Sequence, residues 1–205
     1  MSSPAITLYT FPLSGHGHRV ELFLHLLGLP YEKHLVDLRS GAHKQPEFLS
    51  INPFGQVPAL VDGDIVLPDS NAILVYLAKR YGSEQWLPQD PVGAARIQRW
   101  LSVAAGELMQ GPALARAMTI FRRGDPAPHQ ARATALFGLL EAHLSANSYL
   151  VGDHATIADV ALYTYTSVSH EGGVSLEAYP AIRAWLQRVE ALPNFLPMPA
   201  VPAAS

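Results

Sequence analysis

Apolar and polar residues alternate at the start of this chain and then settle into helical spacing. Ile6, Leu8 and Thr10 fall on one face of an extended segment, and Val20, Phe23, Leu24 and Leu27 follow at i, i+3, i+4 and i+7, a stripe stopped by Gly28. Tyr31 to Val36 reads as a second strand, so the chain opens βαβ. A short helix is predicted around Pro46 to Leu49, where proline is tolerated only in the first turn. Pro58, having no backbone N–H, belongs at the head of a third strand, Ala59-Leu60-Val61. Asp62-Gly63 then turns the chain back through Ile65-Val66-Leu67, and Asp69 and Ser70 begin a helix with the stripe Ile73, Tyr76, Leu77. The order β-α-β-α-β-β-α, with its first pair parallel and its last antiparallel, predicts a mixed sheet with helices on its faces.

Beyond residue 90 the strand signals stop. Ile97, Trp100, Leu101 and Leu108, then Ala133, Leu136, Phe137, Leu140 and Leu144, then Ile182, Trp185, Leu186 and Val189 are all helically spaced, so this half is an all-α bundle. Thr156-Ile157-Ala158-Asp159 is a capping box with Asp in place of the usual Glu or Gln, and the run Val160 to Val168 is apolar nearly all round, which marks a central helix. Thr156 and Asp159 are therefore structural. The expected division is an α/β domain over residues 1–82, a linker over 83–90 containing Pro88, and a helical domain over 91–205, with a ligand in the cleft between them.

A chain of 205 residues can fill one large or two small cores, and two suits the pattern. It has no cysteine, which removes disulfides, thiolate metal sites and a cysteine nucleophile. With 14 basic and 17 acidic residues the net charge is −3 and no long basic run occurs, so nucleic acid is not an expected partner. Met1-Ser2-Ser3-Pro4 leads directly into a strand without a signal-peptide pattern, and no apolar stretch has membrane-spanning length, so a cytoplasmic protein is expected. The nine histidines form no convincing metal-helix spacing; His16 and His18 are expected to face solvent.

The most informative stretch runs from Asn52 to Ile73. A strand led by Pro58 feeds through the hairpin into the helix start at Asp69-Ser70, where unpaired N–H groups and the positive end of the helix dipole favour a carboxylate. This is a binding site for a small peptide-like anion. Ser70 also has the chemistry to cap its own helix, and the two roles are compatible.

Taken in order, Asn52-Pro53-Phe54-Gly55-Gln56-Val57-Pro58-Ala59-Leu60, Asp69-Ser70-Asn71-Ala72-Ile73, Thr156-Ile157-Ala158-Asp159 and Tyr179-Pro180-Ala181-Ile182-Arg183-Ala184-Trp185-Leu186 resemble the cytosolic glutathione transferase superfamily. The resemblance covers about Ile6 to Phe195 and is to serine-type, phi/theta-like bacterial forms. It implies a thioredoxin-like N-terminal domain followed by a helical C-terminal one, with glutathione as co-substrate and no prosthetic group. By the same resemblance Val57, beside a cis Pro58, pairs with the cysteinyl backbone of glutathione, Ser70 holds the γ-glutamyl carboxylate, and Gln56 and Asp69 grip nearby polar groups. Asp69 stands where Glu is common. Gly41-Ala42-His43-Lys44 resembles the Gly-Glu-His-Lys stretch of the phi class, which assigns His43 and Lys44 to the glycyl carboxylate.

Conjugation needs glutathione as thiolate, and a free thiol has a pKa of about 8.5. Tyr9, Thr10, Ser14 and His16 are the candidates to stabilise it. Strand alternation turns Tyr9 to the opposite sheet face. Ser14, just before the Val20 helix, matches the serine of the theta and phi classes and is the first choice, with Thr10 behind it. The second substrate is expected over Phe11, Pro12 and Leu13, with Met109, Leu114, Met118 and Phe121 in reach; Arg116, Arg122 and Arg123 read as a solvated basic turn. A twofold homodimer is the family expectation, with Phe54 as an interface key.

The function these features imply is a glutathione transferase that stabilises the thiolate for attack on a hydrophobic electrophile, a detoxification chemistry. A glutathione-dependent disulfide reductase or peroxidase using Thr10 and Asn71, and a non-catalytic glutathione- or ligand-binding protein, are the alternatives.

Overall fold

The computed structural model describes residues 6–199 and 201, which fall into two compact units. Gly82–Leu192 form one, and the residues up to Tyr81 form the other together with those from Pro193 onward. The Met1 to Pro4 segment lies outside the described residues.

The first unit is built from β1 (Ile6–Thr10), α1 (Gly15–Leu26), β2 (Glu32–Leu35), a 3-10 turn (Ala42–Lys44), α2 (Pro46–Leu49), β3 (Ala59–Asp62), β4 (Ile65–Pro68) and α3 (Ser70–Arg80). The sheet order is β2-β1-β3-β4, with β1 parallel to β2 and antiparallel to β3. β3 and β4 are antiparallel, so the sheet is mixed, as the element order required. Ile6, Leu8 and Thr10 point to one buried face, while Tyr9 lies on the other, its ring against His34 and Phe48. Val20, Phe23 and Leu24 of the α1 stripe and Ile73 and Leu77 of the α3 stripe are fully buried, whereas Leu27, which follows the last turn of α1, and Tyr76 are half-buried.

The unit takes in more of the chain than the sequence division assigned to it. His18, expected at the surface, is 2% exposed, and its Nε2 stands 2.9 Å from the Leu196 carbonyl. A carbonyl only accepts, so Nε2 carries the proton. Residues from Pro193 therefore group with α1, whereas the helical domain was expected to extend to the end of the chain. Residues 83–90, expected as a linker, belong to the second unit.

That second unit contains α4 (Pro91–Ala105), α5 (Leu114–Phe121), α6 (Ala127–Ala146), α7 (Ile157–Ser167) and α8 (Pro180–Glu190). Gly106 ends α4, and a π-helical turn, Met109–Ala113, precedes α5. Pro112 removes a backbone donor there, and a Cβ on Gly111 would stand 2.9 Å from the Ala133 backbone nitrogen of α6, so glycine permits the close approach. α7 is buried from Ile157 to Thr166, in agreement with its apolar circumference. Its capping box is formed, and the Asp159 carboxylate also accepts from Leu150 N–H and Trp185 Nε1–H. Arg116 is not part of a solvated turn: it is 3% exposed and paired with Glu171. Arg122 and Arg123 are exposed.

Candidate functional site

The site begins where β1 ends. Phe11 to Leu13 turn the chain into α1, and Ser14 caps that helix, its Oγ accepting the Gly17 N–H at 3.1 Å. α1 approaches β1 so closely that a Cβ on Gly17 would stand 1.9 Å from Thr10 Oγ1. The Thr10 hydroxyl is thereby sealed beneath the first turn, with the residue only 2% exposed.

On the neighbouring edge, β4 delivers the chain to α3 through Asp69, whose φ of 74° and ψ of 122° are rare for any residue with a Cβ. Such a backbone costs about 1–3 kcal/mol and persists only where the surroundings impose it. The Asp69 side chain accepts the Ala72 N–H at 2.9 Å and so caps α3 in the position expected of Ser70. Ser70 is the first helical residue, buried, and fixed from α1: Arg19 NH1 donates to Ser70 Oγ at 2.9 Å and to Asn71 Oδ1 at 2.8 Å. The third wall is the segment before β3. Asn52 shapes it, its Nδ2 donating to Gln56 O at 2.7 Å and its Oδ1 accepting the Phe54 N–H at 3.1 Å. The Val57–Pro58 peptide is cis.

The second and third of these walls, with His16 of α1, enclose an open hollow of about 310 Å³, lined by residues of the Asn52 to Pro58 segment and by Pro68, Asp69 and Ser70; Ser14 and the Phe11 to Leu13 turn are not among its lining. His16 Nδ1 lies 3.4 Å from Ser70 Oγ. Burial first, and the Arg19 charge second, push the His16 imidazolium down to about 3, so the ring is neutral at ordinary pH. The hollow therefore offers a helix N-terminus, a hydroxyl backed by a buried guanidinium, a carboxylate beside them, and the Val57 residue that precedes the cis Pro58. A small zwitterionic peptide suits that set, its carboxylate at Ser70 and its ammonium at Asp69.

The sequence agrees with this geometry over both halves. Residues 4–79 match the family model for the glutathione S-transferase N-terminal domain, and residues 123–193 that for the C-terminal domain. The chain belongs to the glutathione S-transferase family. Glutathione S-transferase 3 of Zea mays is 37% identical, with 98% of each chain covered. A crystal structure of a Pseudomonas fluorescens glutathione S-transferase superposes with a TM-score of 0.90 at 35% identity, covering 96% of this chain and all of that one. A glutathione transferase homologue from Drosophila mojavensis, with bound glutathione, reaches 0.83 at 31% identity over 92% of this chain and 88% of its own.

Of the residues that the sequence resemblance assigned to glutathione, Gln56, Val57, Pro58, Asp69 and Ser70 all line the hollow. His43 and Lys44 are not among its lining. Lys44 Nζ instead donates to the carbonyls of Phe54 at 3.2 Å and Gly55 at 2.9 Å, tying the Ala42–Lys44 turn to the loop that forms the wall. Thr10 is withdrawn under Gly17, so the fallback for sulfur contact has no open approach, and Ser14 is the half-buried hydroxyl of the turn. Phe11 and Leu13 are half-buried in the first unit, and Met109, Leu114, Met118 and Phe121 are half-buried in the second. Leu114, Met118 and Phe121 follow at i, i+4 and i+7 on α5.

Sequence reading gave no role to Asn52, which lines the hollow, or to Arg19, which lies outside the lining and backs the Ser70 hydroxyl. Arg19 gave a signal that was not used, a cation inside an otherwise apolar helical stripe. Asn52 gave another, as an amide leading a Pro-Phe-Gly turn, which is a common backbone clamp. His16, weighed as a thiolate candidate and expected to face solvent, is instead half-buried in the lining beside Ser70, a pairing that only the tertiary fold makes.

Proposed function

We propose that this protein is a glutathione transferase in which Ser14 donates a hydrogen bond to the glutathione sulfur and stabilises it as thiolate for attack on a hydrophobic electrophile. The observation that carries the reading is the convergence of Val57, Asp69 and the Arg19-backed Ser70 hydroxyl on one hollow at the N-terminus of α3. In this reading the γ-glutamyl carboxylate sits at Ser70, its ammonium at Asp69, and the cysteinyl backbone beside Val57, with Gln56 as a further polar contact. His43 and Lys44 remain assigned to the glycyl carboxylate, Lys44 exchanging its present carbonyl contacts for the ligand.

Ser14 has the chemistry for its role. Accepting from Gly17 N–H uses one lone pair and leaves its own proton to donate. Lowering a thiol pKa by roughly two units takes about 2.7 kcal/mol of preferential thiolate stabilisation. One hydroxyl hydrogen bond to a charged acceptor, about 1.5–3 kcal/mol, together with the α1 N-terminus, about 0.3–1 kcal/mol, supplies it.

Within the first unit, the half-buried Phe11 and Leu13 are the apolar residues offered to the electrophile. The functional unit is a homodimer, for which the 76% exposure of Phe54 is the supporting feature, since a large apolar side chain so placed gains from a partner surface. Calorimetric titration with glutathione, followed by a conjugation assay with a halonitroarene, tests the reading. Saturable binding and glutathione-dependent loss of halide are expected, and absence of binding at millimolar glutathione contradicts it.

A further inference from the structure

Arg19 and His16 present two ring or guanidinium nitrogens to one hydroxyl, that of Ser70. A serine hydroxyl has two acceptor lone pairs and one proton. Arg19 NH1, which can only donate, occupies one lone pair at 2.9 Å. If His16 carries its proton on Nδ1, it approaches the second at 3.4 Å. With both lone pairs facing donors, the Ser70 proton has one direction left, into the hollow. From this geometry we infer that His16 is a positioning residue for the anion site: its Nδ1–H, with Arg19, makes Ser70 a dedicated donor to the carboxylate of the bound ligand. The inference rests on the glutathione-binding reading and extends it to a residue that touches Ser70 and not the reacting sulfur.

The electrostatics agree. A protonated His16 would be a direct cationic ligand for a carboxylate, but Arg19 already supplies a buried positive charge one turn along α1, and burial disfavours a second. The charge that acts on the ring is that of Arg19 on α1, Ser70 is the neutral neighbour, and the Asp69 carboxylate shares the lining of the hollow with it. The role is one of hydrogen-bond direction, which a neutral ring performs at any working pH.

The experiment is a calorimetric cycle on the full-length protein. Two ligands are compared, glutathione and its analogue with the γ-glutamyl α-carboxylate converted to a carboxamide, against wild type, His16→Phe and His16→Asn. His16→Phe is expected to weaken glutathione about five- to tenfold, the loss typical of one ordinary hydrogen bond, and to weaken the carboxamide less than about twofold. His16→Asn, which keeps a side-chain N–H, restores most of the loss. Between about pH 5.5 and 7.5 the affinity follows the ionisation of the bound thiol alone, so wild type and His16→Phe share the same pH profile, because burial keeps the ring neutral across that range.

Equal losses on both ligands would reduce His16 to a packing residue and overturn the inference. Tighter glutathione binding by His16→Phe would overturn it as well, because it would show that the ring takes the Ser70 proton away from the ligand. A wild-type affinity that falls through the ordinary histidine range, and no longer does so in His16→Phe, would show a charged role instead. Wild type failing to bind glutathione sinks the underlying reading, whereas binding that is indifferent to His16 sinks this inference alone.

Discussion

Arg19 of α1 donates from a single nitrogen to both Ser70 Oγ and Asn71 Oδ1 of α3, at 2.9 and 2.8 Å. The two helices flank the ends of β1 and β4, so this one guanidinium fixes the floor of the hollow. Arg19→Lys keeps the charge but not the planar fork, and its flexible ammonium cannot reproduce the geometry. It should weaken glutathione binding roughly fivefold or more and lower unfolding stability by about 1–3 kcal/mol, read by calorimetry and urea denaturation.

Ser14 has two roles that one substitution would confuse. Ser14→Ala removes the α1 cap, worth about 1 kcal/mol, together with the proposed thiolate donor. Ser14→Asp retains a cap acceptor and removes the hydroxyl donor. Turnover should fall about tenfold or more in both variants, whereas stability should fall only in Ser14→Ala. Parallel kinetics and thermal unfolding separate these effects.

Thr10 and Gly17 are coupled by contact. Gly17→Ala should destabilise by about 1–3 kcal/mol through overpacking against Thr10 Oγ1. Thr10→Ala should have little effect on turnover, and the double variant Thr10→Ala/Gly17→Ala should recover much of the stability lost in Gly17→Ala. A large turnover defect in Thr10→Ala would reinstate this hydroxyl as a catalytic candidate.

His18 gives the molecule an acid-sensitive anchor. Burial lowers its pKa from 6.5 to about 4, opposed by weaker contributions from the Leu196 and Pro197 carbonyls and Glu21. Between those two values the unfolded chain binds the proton and the native one does not, so stability falls as pH drops below the unfolded value and continues to fall toward the native one. At pH 5 the penalty is about 2 kcal/mol. Denaturation of His18→Gln at pH 7.5 and 5 should show an acid loss smaller than wild type by about that amount.

Trp185 and Asp159 form a second buried contact that bears on stability alone. Trp185 Nε1 donates to Asp159 Oδ1 at 2.8 Å, and the same carboxylate accepts from Leu150 and Thr156. Burial raises the Asp159 pKa while these donors oppose the rise. Trp185→Phe should cost about 1.5–3 kcal/mol in urea unfolding and leave glutathione affinity unaltered.

The alternation of Ile6, Leu8 and Thr10, the stripe from Val20 to Leu27 and the Asp62-Gly63 turn were enough to order the first unit, because each element buries one face and its period records that face. The Thr156 to Asp159 box was equally legible, being local in sequence. What escaped was non-local. The break between α4 and α5 depends on Gly111 meeting α6, and the grouping of Leu196 with α1 depends on a contact with His18 far earlier in the chain. At the site, Val57, Asp69 and Ser70 announced themselves through a strand-leading proline and a helix start. Lys44 was assigned by motif, and its ammonium is held by the Phe54 and Gly55 carbonyls, a pairing no spacing rule contains.

The central claim is that this chain stabilises the glutathione thiolate, and an ultraviolet titration of thiolate in the protein–glutathione complex tests it most directly. The account predicts a thiolate that appears roughly two pH units below the free thiol value of about 8.5, and a midpoint that returns toward that value in Ser14→Ala. Saturable glutathione binding with the midpoint unmoved would contradict it.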